Sequence, residues 1–362
     1  MNTANISPST ARNDFIDYLR GILILLVIEG HFIQWIEYYG TDLFYNDPIF
    51  KAIYSFHMPC FMLISGFLTY QSLQRQKAVN FITSRLLQLL IPIIFWTIPF
   101  VLIKIWNDFS IYFEVKAPLS FIFTNLVTLS YLSTNLLNSF FDLWFLWALL
   151  VSSLLLTFLK FIKQDNILFI FIIFTLILIL QTPIPITMGF IKYLFPFFAI
   201  GYLLSKQIKI ITKLSVPLII LVTTVSISCY LLWSKNTYIY ISGMDLTINN
   251  LSQIGLRYLS GFSISVFFIW LCWKMYALKP VQILSTFGRY SLQLYILQVF
   301  LIEILSRQLN TQFFENHQFW VSCFLAPIMA FLLAAILTYI TKLISLNIFF
   351  KSLLFGAKTS KK

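Results

Sequence analysis

Charge is what this chain holds least of. Asp, Glu, Lys and Arg make up 10% of its 362 residues, where soluble domains carry about 25%. So little charge excludes an ordinary water-facing protein and points to lipid as the solvent. Histidine is rarer still, with three copies, and cysteine has four. Cys60, Cys229, Cys272 and Cys323 each lie in an apolar stretch without paired spacing. They read as core thiols, so neither a disulfide framework nor a metal site is expected. A Walker A loop, a dinucleotide glycine fingerprint and a heptad run are all missing. No internal repeat stands out, which counts against a transporter. The first apolar run follows a polar leader without a small-residue cleavage site, so no cleaved signal is expected. Loops are short, so no appended soluble domain is expected either.

Apolar residues fill the space that charge leaves: 59% of the chain is hydrophobic, and Phe alone occurs 39 times. The expected fold is all-α, a polytopic membrane protein of about ten transmembrane helices. The apolar spans fall at 18–38, 50–70, 86–106, 141–161, 166–182, 190–206, 214–233, 250–273, 285–305 and 319–342, each of a length that suits a bilayer crossing. The stretch 118–137, rich in Ser, Thr and Asn, reads as an interfacial or re-entrant helix, because a further crossing would invert every later loop. A net charge of +12 invites a nucleic-acid reading, but the basic residues stand singly between apolar runs, so no nucleic-acid partner is expected. Most of them fall on one side of the membrane, Arg75, Lys77, Arg85, Lys206 and Arg289 among them, while Asp42, Asp47, Asp108, Asp245 and Glu315 fall on the other. The positive-inside rule then places both termini in the cytoplasm. Residues 1–362 read as a single integral-membrane domain, with polar cytoplasmic tails at 1–17 and 352–362.

Ionisable groups inside apolar runs are costly and are read first as functional. The first span carries Asp17, Arg20, Glu29 and His31. From Arg20 to His31, turning by ~100° per residue brings the helix only ~20° past three full turns, so both side chains share one face about 16 Å apart. Asp17 lies one turn below Arg20 and can pair with it. Glu29 is about 200° from His31 and faces elsewhere. His57 opens the second span from the outer side, at a depth similar to His31, and an imidazole is the natural group to take a proton from a hydroxyl. The competing reading of His57 is a helix-entry residue bonded to a nearby carbonyl. Ser65 and Gly66 lie nearer the cytoplasm, small enough for a helix or a ligand to approach the backbone. Arg85 sits at the membrane border, where arginines anchor helices to headgroups and where one can also clamp phosphates. Arg257 and Glu303 lie in outer halves of their spans and can pair.

These residues resemble the membrane acyltransferase family 3, in its fucose 4-O-acetylase-like branch. The matching stretches are Asp17-Tyr-Leu-Arg20-Gly21 with His31, Phe56-His-Met-Pro59, Ser65-Gly66-Phe67, Leu143-Trp144-Phe-Leu146, Gly201-Tyr202 and Gly288-Arg-Tyr-Ser-Leu-Gln-Leu-Tyr295. The resemblance implies a ten-helix O-acetyltransferase of the inner or plasma membrane that takes acetyl-CoA from the cytosol as co-substrate, without a metal. It would pass the acetyl group to a sugar hydroxyl of a lipid-linked or surface polysaccharide. It implies His31 as catalytic base with Arg20 and Asp17 beside it, directly or through an acyl-histidine. Arg85 is implied as a donor-binding residue, with His57, Ser65, Gly66 and Trp144 around the substrates and membrane lipids as the remaining partners. Two positions depart from the family's pattern: Gln88 stands where a second arginine is common, and Gln298 where a histidine is common. The second departure makes position 298 read as non-chemical here. A branch with a C-terminal esterase-like domain has no counterpart in this sequence. The rival class is a proton-coupled transporter or flippase in which His31, His57 and Glu29 relay protons.

The topology has a direct check. A cysteine introduced at Asn46 should react with impermeant thiol reagents from the outside, and labelling from the cytosolic side only would invert the arrangement.

Overall fold

The computed structural model describes residues 14–37, 42–114, 129–161, 167–179, 185–205, 214–276, 282–305 and 317–356. Its secondary structure among them is helical throughout. We number the main helices α1 (Asp14–Glu37), α2 (Pro48–Tyr54), α3 (His57–Arg75), α4 (Ala78–Arg85), α5 (Ile91–Glu114), α6 (Leu129–Phe141), α7 (Trp144–Phe161) and α8 (Ile167–Ile179). The second half adds α9 (Pro185–Leu204), α10 (Val216–Leu232), α11 (Ile248–Tyr276), α12 (Gln282–Arg289), α13 (Ser291–Leu305), α14 (Ala326–Ile344) and α15 (Ile348–Phe355).

Among the described residues four helical stretches are long and apolar enough to cross a bilayer: Pro48–Arg75, Ala78–Ser110, Ile248–Tyr276 and Gln318–Ile344. Leu132–Phe141 and Trp144–Phe158 make a fifth if taken as one span broken by a 62° bend. Gly189–Leu204, Val216–Leu232 and Ser291–Ile304 are apolar but shorter. The difference from ten uninterrupted spans has a structural cause. The expected span at 285–305 is divided at Tyr290 between α12 and α13, and α8, at 13 residues, reaches only about 20 Å at 1.5 Å per residue. The expected helix at 118–137 is described only from 129 onward, where α6 runs to Phe141 and meets α7 at the bend. Residues 1–13 and 357–362 of the expected tails lie outside the described residues.

Local chemistry sets the breaks. Asp47 Oδ1 accepts from the Phe50 amide at 2.7 Å and Pro48 fills the first helical position, so α2 starts there. Pro59 falls in the first turn of α3, where its missing N–H costs nothing. A π-helical turn at Leu86–Leu90 joins α4 to α5, and turns of this kind recur at functional sites.

Two helix pairs pack backbone against backbone. A Cβ on Gly66 of α3 would strike the Phe198 carbonyl of α9, and one on Gly201 of α9 would strike the Leu63 carbonyl of α3. The same reciprocal arrangement joins α1 and α12, with Gly21 on the Leu284 carbonyl and Gly288 on the Asp17 carbonyl. Lipid offers no hydrophobic drive between helices, so contact this close, with its dispersion gain, is what holds such pairs together. The main core runs through α1, α3, α9, α11 and α13, and a smaller cluster of Ile33, Phe44, Phe50, Trp233, Tyr238 and Ala326 closes the end where α1 finishes.

At that end Arg257 of α11 is 1% exposed. Its guanidinium donates to the carbonyls of Asn236, Thr237, Tyr238 and Gly243 and to the Ser242 hydroxyl. The expected pair with Glu303 is therefore not what holds it. Carbonyls of one loop surround the cation, and Arg257 is a clamp on that loop. Asp47 joins the same end to α14's approach, accepting from Ser322 Oγ at 2.6 Å.

Gly66→Ala should destabilise the protein by about 1–3 kcal/mol through overpacking. Gly255→Ala, where a Cβ meets nothing within 4 Å, should not. Thermal unfolding of the two purified variants in detergent separates them, and equal melting temperatures would show that α3 and α9 part freely.

Candidate functional site

At the end of the bundle where α1 begins, a cavity of about 340 Å³ opens between α1, α3, α4, α7 and the π turn. Its polar lining includes Arg20 and Arg85 together with Ser65, Thr69, Ser72 and Gln88. A second, narrower cavity of about 40 Å³ shares Arg20, Ser65, Leu149 and Leu292 with the first and continues past Ile24, Val27, Met58 and Tyr295. Arg20, Ile24 and Val27 are successive members of the stripe on α1 that ends at His31, one helical turn farther on. A wide basic basin thus narrows into a slot aimed along α1 at the histidine.

Arg20 Nη2 donates to Ser291 Oγ at 2.7 Å, the first residue of α13. Asp17, 4% exposed, lies 3.6 Å from Arg289 Nε at the end of α12, and Arg289 also reaches Asp14 at 3.5 Å. The aspartate expected beside Arg20 on α1 is thus tied across to α12, which the contact of Gly21 and Gly288 brings within reach. Arg85 Nη1 donates to Gln88 Oε1 at 3.2 Å, Nη2 reaches Thr69 Oγ1 at 3.4 Å, and the guanidinium lies 4.9 Å from the Phe81 ring centroid. Its Nε has no hydrogen-bond partner although buried. Two cations therefore face one cavity, a costly arrangement for the free protein and a fitting one for a polyanion.

The remaining sequence-expected residues divide. His31 Nδ1 lies 3.3 Å from Gln298 Nε2. His57, 3% exposed, donates from Nδ1 to the Ile53 carbonyl at 2.7 Å and packs edge-on against Tyr54. Ser65 lines both cavities. Gly66 instead turns to the α9 backbone, so its role in the structure is packing. Trp144 stacks on Phe190 with ring centroids 4.0 Å apart, while its neighbour Phe145 lines the slot. Among the described residues no three His, Cys, Asp or Glu side chains gather as a metal site would require.

Position 298, which the sequence left outside the site, lies against His31. Gln298 is fully buried and touches His31. It belongs to a row on α13, Ser291, Tyr295 and Gln298, spaced four and three residues apart and so on one face. Ser291 answers Arg20, Tyr295 lines the slot and Gln298 answers His31. The buried Gln298 Oε1 has no hydrogen-bond partner, and such groups are rare without a reason. Sequence reasoning missed Ser291 and Tyr295 as site residues. Their spacing was the available signal, but a polar row on an apolar helix does not say which helix it faces.

Comparison with known proteins places the chain in a family. A family model described as an acyltransferase domain matches residues 13–345. Nodulation protein NolL of Mesorhizobium japonicum is 31% identical over 296 residues, covering 78% of this chain and 74% of that protein. Nodulation protein NolL of Sinorhizobium fredii is 33% identical over 231 residues, covering 62% of this chain and 58% of that protein. No solved structure matches the chain. The match spans α1 with its Arg20–His31 face, the basic cavity and the α13 row alike, and the chain belongs to the acyltransferase 3 family of membrane acyltransferases.

Proposed function

We propose that this protein is an O-acetyltransferase that moves an acetyl group from cytosolic acetyl-CoA to a sugar hydroxyl of a lipid-linked or cell-surface polysaccharide. It would sit in the inner or plasma membrane as one ten-span domain with both termini in the cytoplasm. The observation that carries the proposal is the shared cavity of Arg20 and Arg85 with its slot along α1 toward His31. Phosphates of the donor would rest between the two guanidiniums, with the partnerless Arg85 Nε and the nearby hydroxyls of Thr69 and Ser72 as further donors. The thioester end would follow the slot. His31 lies about 16 Å beyond Arg20 along α1, a distance that calls for a long, thin donor arm rather than a compact one.

In this reading His31 takes the proton of the acceptor hydroxyl as its oxygen attacks the thioester carbonyl. The new C–O bond forms, the C–S bond breaks, and the proton passes to the departing thiolate. Walls of Met58, Phe61, Phe145 and Leu149 keep the slot poor in water, which limits hydrolysis of the thioester. The lipid-linked acceptor would meet His31 from the outer half of the bilayer, beside the closed end of the bundle. A sugar acceptor is what the resemblance to the fucose 4-O-acetylase-like branch supports. The transporter alternative needs proton relay without thioester consumption, and family membership speaks for acyl transfer instead.

His31→Ala should lower acetyl transfer by purified protein roughly 10²–10⁴-fold, the usual contribution of a general base, with abundance and melting temperature retained. Wild-type turnover in a well-folded His31→Ala protein would remove the assignment. Arg85→Lys keeps the charge but loses the planar fork. It should raise the KM for acetyl-CoA by about tenfold or more, the equivalent of one charge-assisted hydrogen bond. The KM for acceptor should stay unchanged, and an unaltered donor KM would mean that Arg85 only anchors its helix.

A further inference from the structure

We propose that Gln298 is the positioning residue of His31, and that its carboxamide selects the imidazole tautomer able to act as a base. The inference rests on the reading of His31 as the base and concerns how that base is prepared. Gln298 is 0% exposed, and its side chain offers a donor at one end and an acceptor at the other. The nitrogen end lies 3.3 Å from His31 Nδ1, while the oxygen end meets no partner although buried. In that orientation the amide would donate to Nδ1, the ring proton would sit on Nε2, and Nε2 would have no lone pair for a hydroxyl proton.

The two ends of a carboxamide have nearly the same shape, so its orientation is set by the hydrogen bonds around it. Turned over, Oε1 accepts Nδ1–H, the buried acceptor is satisfied, and Nε2 presents its lone pair. The charged state favours the same choice more strongly. An imidazolium carries N–H on both nitrogens, so it is stabilised by Oε1 and opposed by the amide N–H₂. As His31 gains a proton, Gln298 must face it with oxygen. His57 shows the same device made from backbone, with Nδ1–H held by the Ile53 carbonyl. The α1 carbonyls do not supply one for His31 here, and α13 brings a side-chain acceptor in their place.

Other titratable groups lie on the elements packed about α1. His57 of α3 interacts with it electrostatically, Tyr54 of α2 packs on His57, and Glu29 lies on another side of α1. From α13 come Tyr295 and Glu303. From the turn before α2 come Tyr45 and Asp47, and Asp47 acts electrostatically on Glu29. Arg289 of α12 is engaged at the far end by Asp14 and Asp17. Arg257 of α11 is held by its loop, with Tyr258 beside it, and Cys272, Lys274 and Tyr276 lie toward the start of α1. The polar charges of α14 are confined to Tyr339 and Lys342 in its last turns.

The test is the pH dependence of acetyl transfer by full-length purified protein carrying Gln298→Met or Gln298→Glu, with His31→Ala alongside. Methionine matches glutamine in length and offers no comparable acceptor. Its turnover should fall about tenfold or more, as when a histidine loses the partner that orients it, with the acetyl-CoA KM unchanged. Glutamate restores an acceptor and adds negative charge. Its turnover should stand above that of the methionine variant, and the acid limb of its rate profile should move to higher pH because the imidazolium is stabilised. Wild-type turnover in Gln298→Met, or equal losses in both variants with an unmoved acid limb, overturns the inference. If those results accompany an inactive His31→Ala, only the role of Gln298 falls. If His31→Ala still transfers acetyl groups, the reading of His31 falls and the inference with it.

Discussion

Contact between the backbones of α1 and α12 is the constraint on which the site depends. Gly21 and Gly288 face each other's helices with no room for a methyl group, and this closeness has an electrostatic consequence. The first helix carries Asp17, Arg20, Glu29 and His31 into an apolar environment, where an unpartnered charge costs several kcal/mol. Because α12 lies against α1, Arg289 reaches Asp17, and because α13 follows α12 directly, Ser291 reaches Arg20 and Gln298 reaches His31. Asp17, Arg20 and His31, which would be costly alone, are answered in order along two helices.

The second glycine pair does a complementary job. Gly66 and Gly201 seat α3 on α9, and that contact turns the adjacent Ser65 into the cavity. One residue packs and the next lines the site, as a rotation of ~100° per residue requires. The π turn beyond Arg85 places Gln88 and Leu89 in the cavity wall. Gln88 accepts from Arg85 and holds its guanidinium toward the lumen.

The two ends of the molecule differ in kind. Around Arg20 and Arg85 the structure is open and polar. Where α1 ends it is closed by packed aromatic rings and by loops fastened through Arg257 and Asp47. An open basic basin at one end and a braced aromatic end at the other suit chemistry that takes a soluble polyanion from one side.

Sequence alone determined that this is an all-helical membrane protein, because a chain with 10% charge has no means of covering itself in water. It also determined that Arg20 and His31 share a face, since the phase of one continuous helix is local geometry. Family motifs marked the glycines and the row from Gly288 to Tyr295 without telling packing from chemistry. Tertiary structure decided the rest. It tied Asp17 to Arg289, sent Gly66 to the α9 backbone, left Arg257 to its own loop, and divided the ninth apolar run into two helices. It also made Gln298 a neighbour of His31 from 267 residues away and Ser291 a partner of Arg20 from 271. Periodicity states which side chains stand together on one helix, but it is silent on which helix they meet, because that is fixed by close packing among surfaces far apart in the chain.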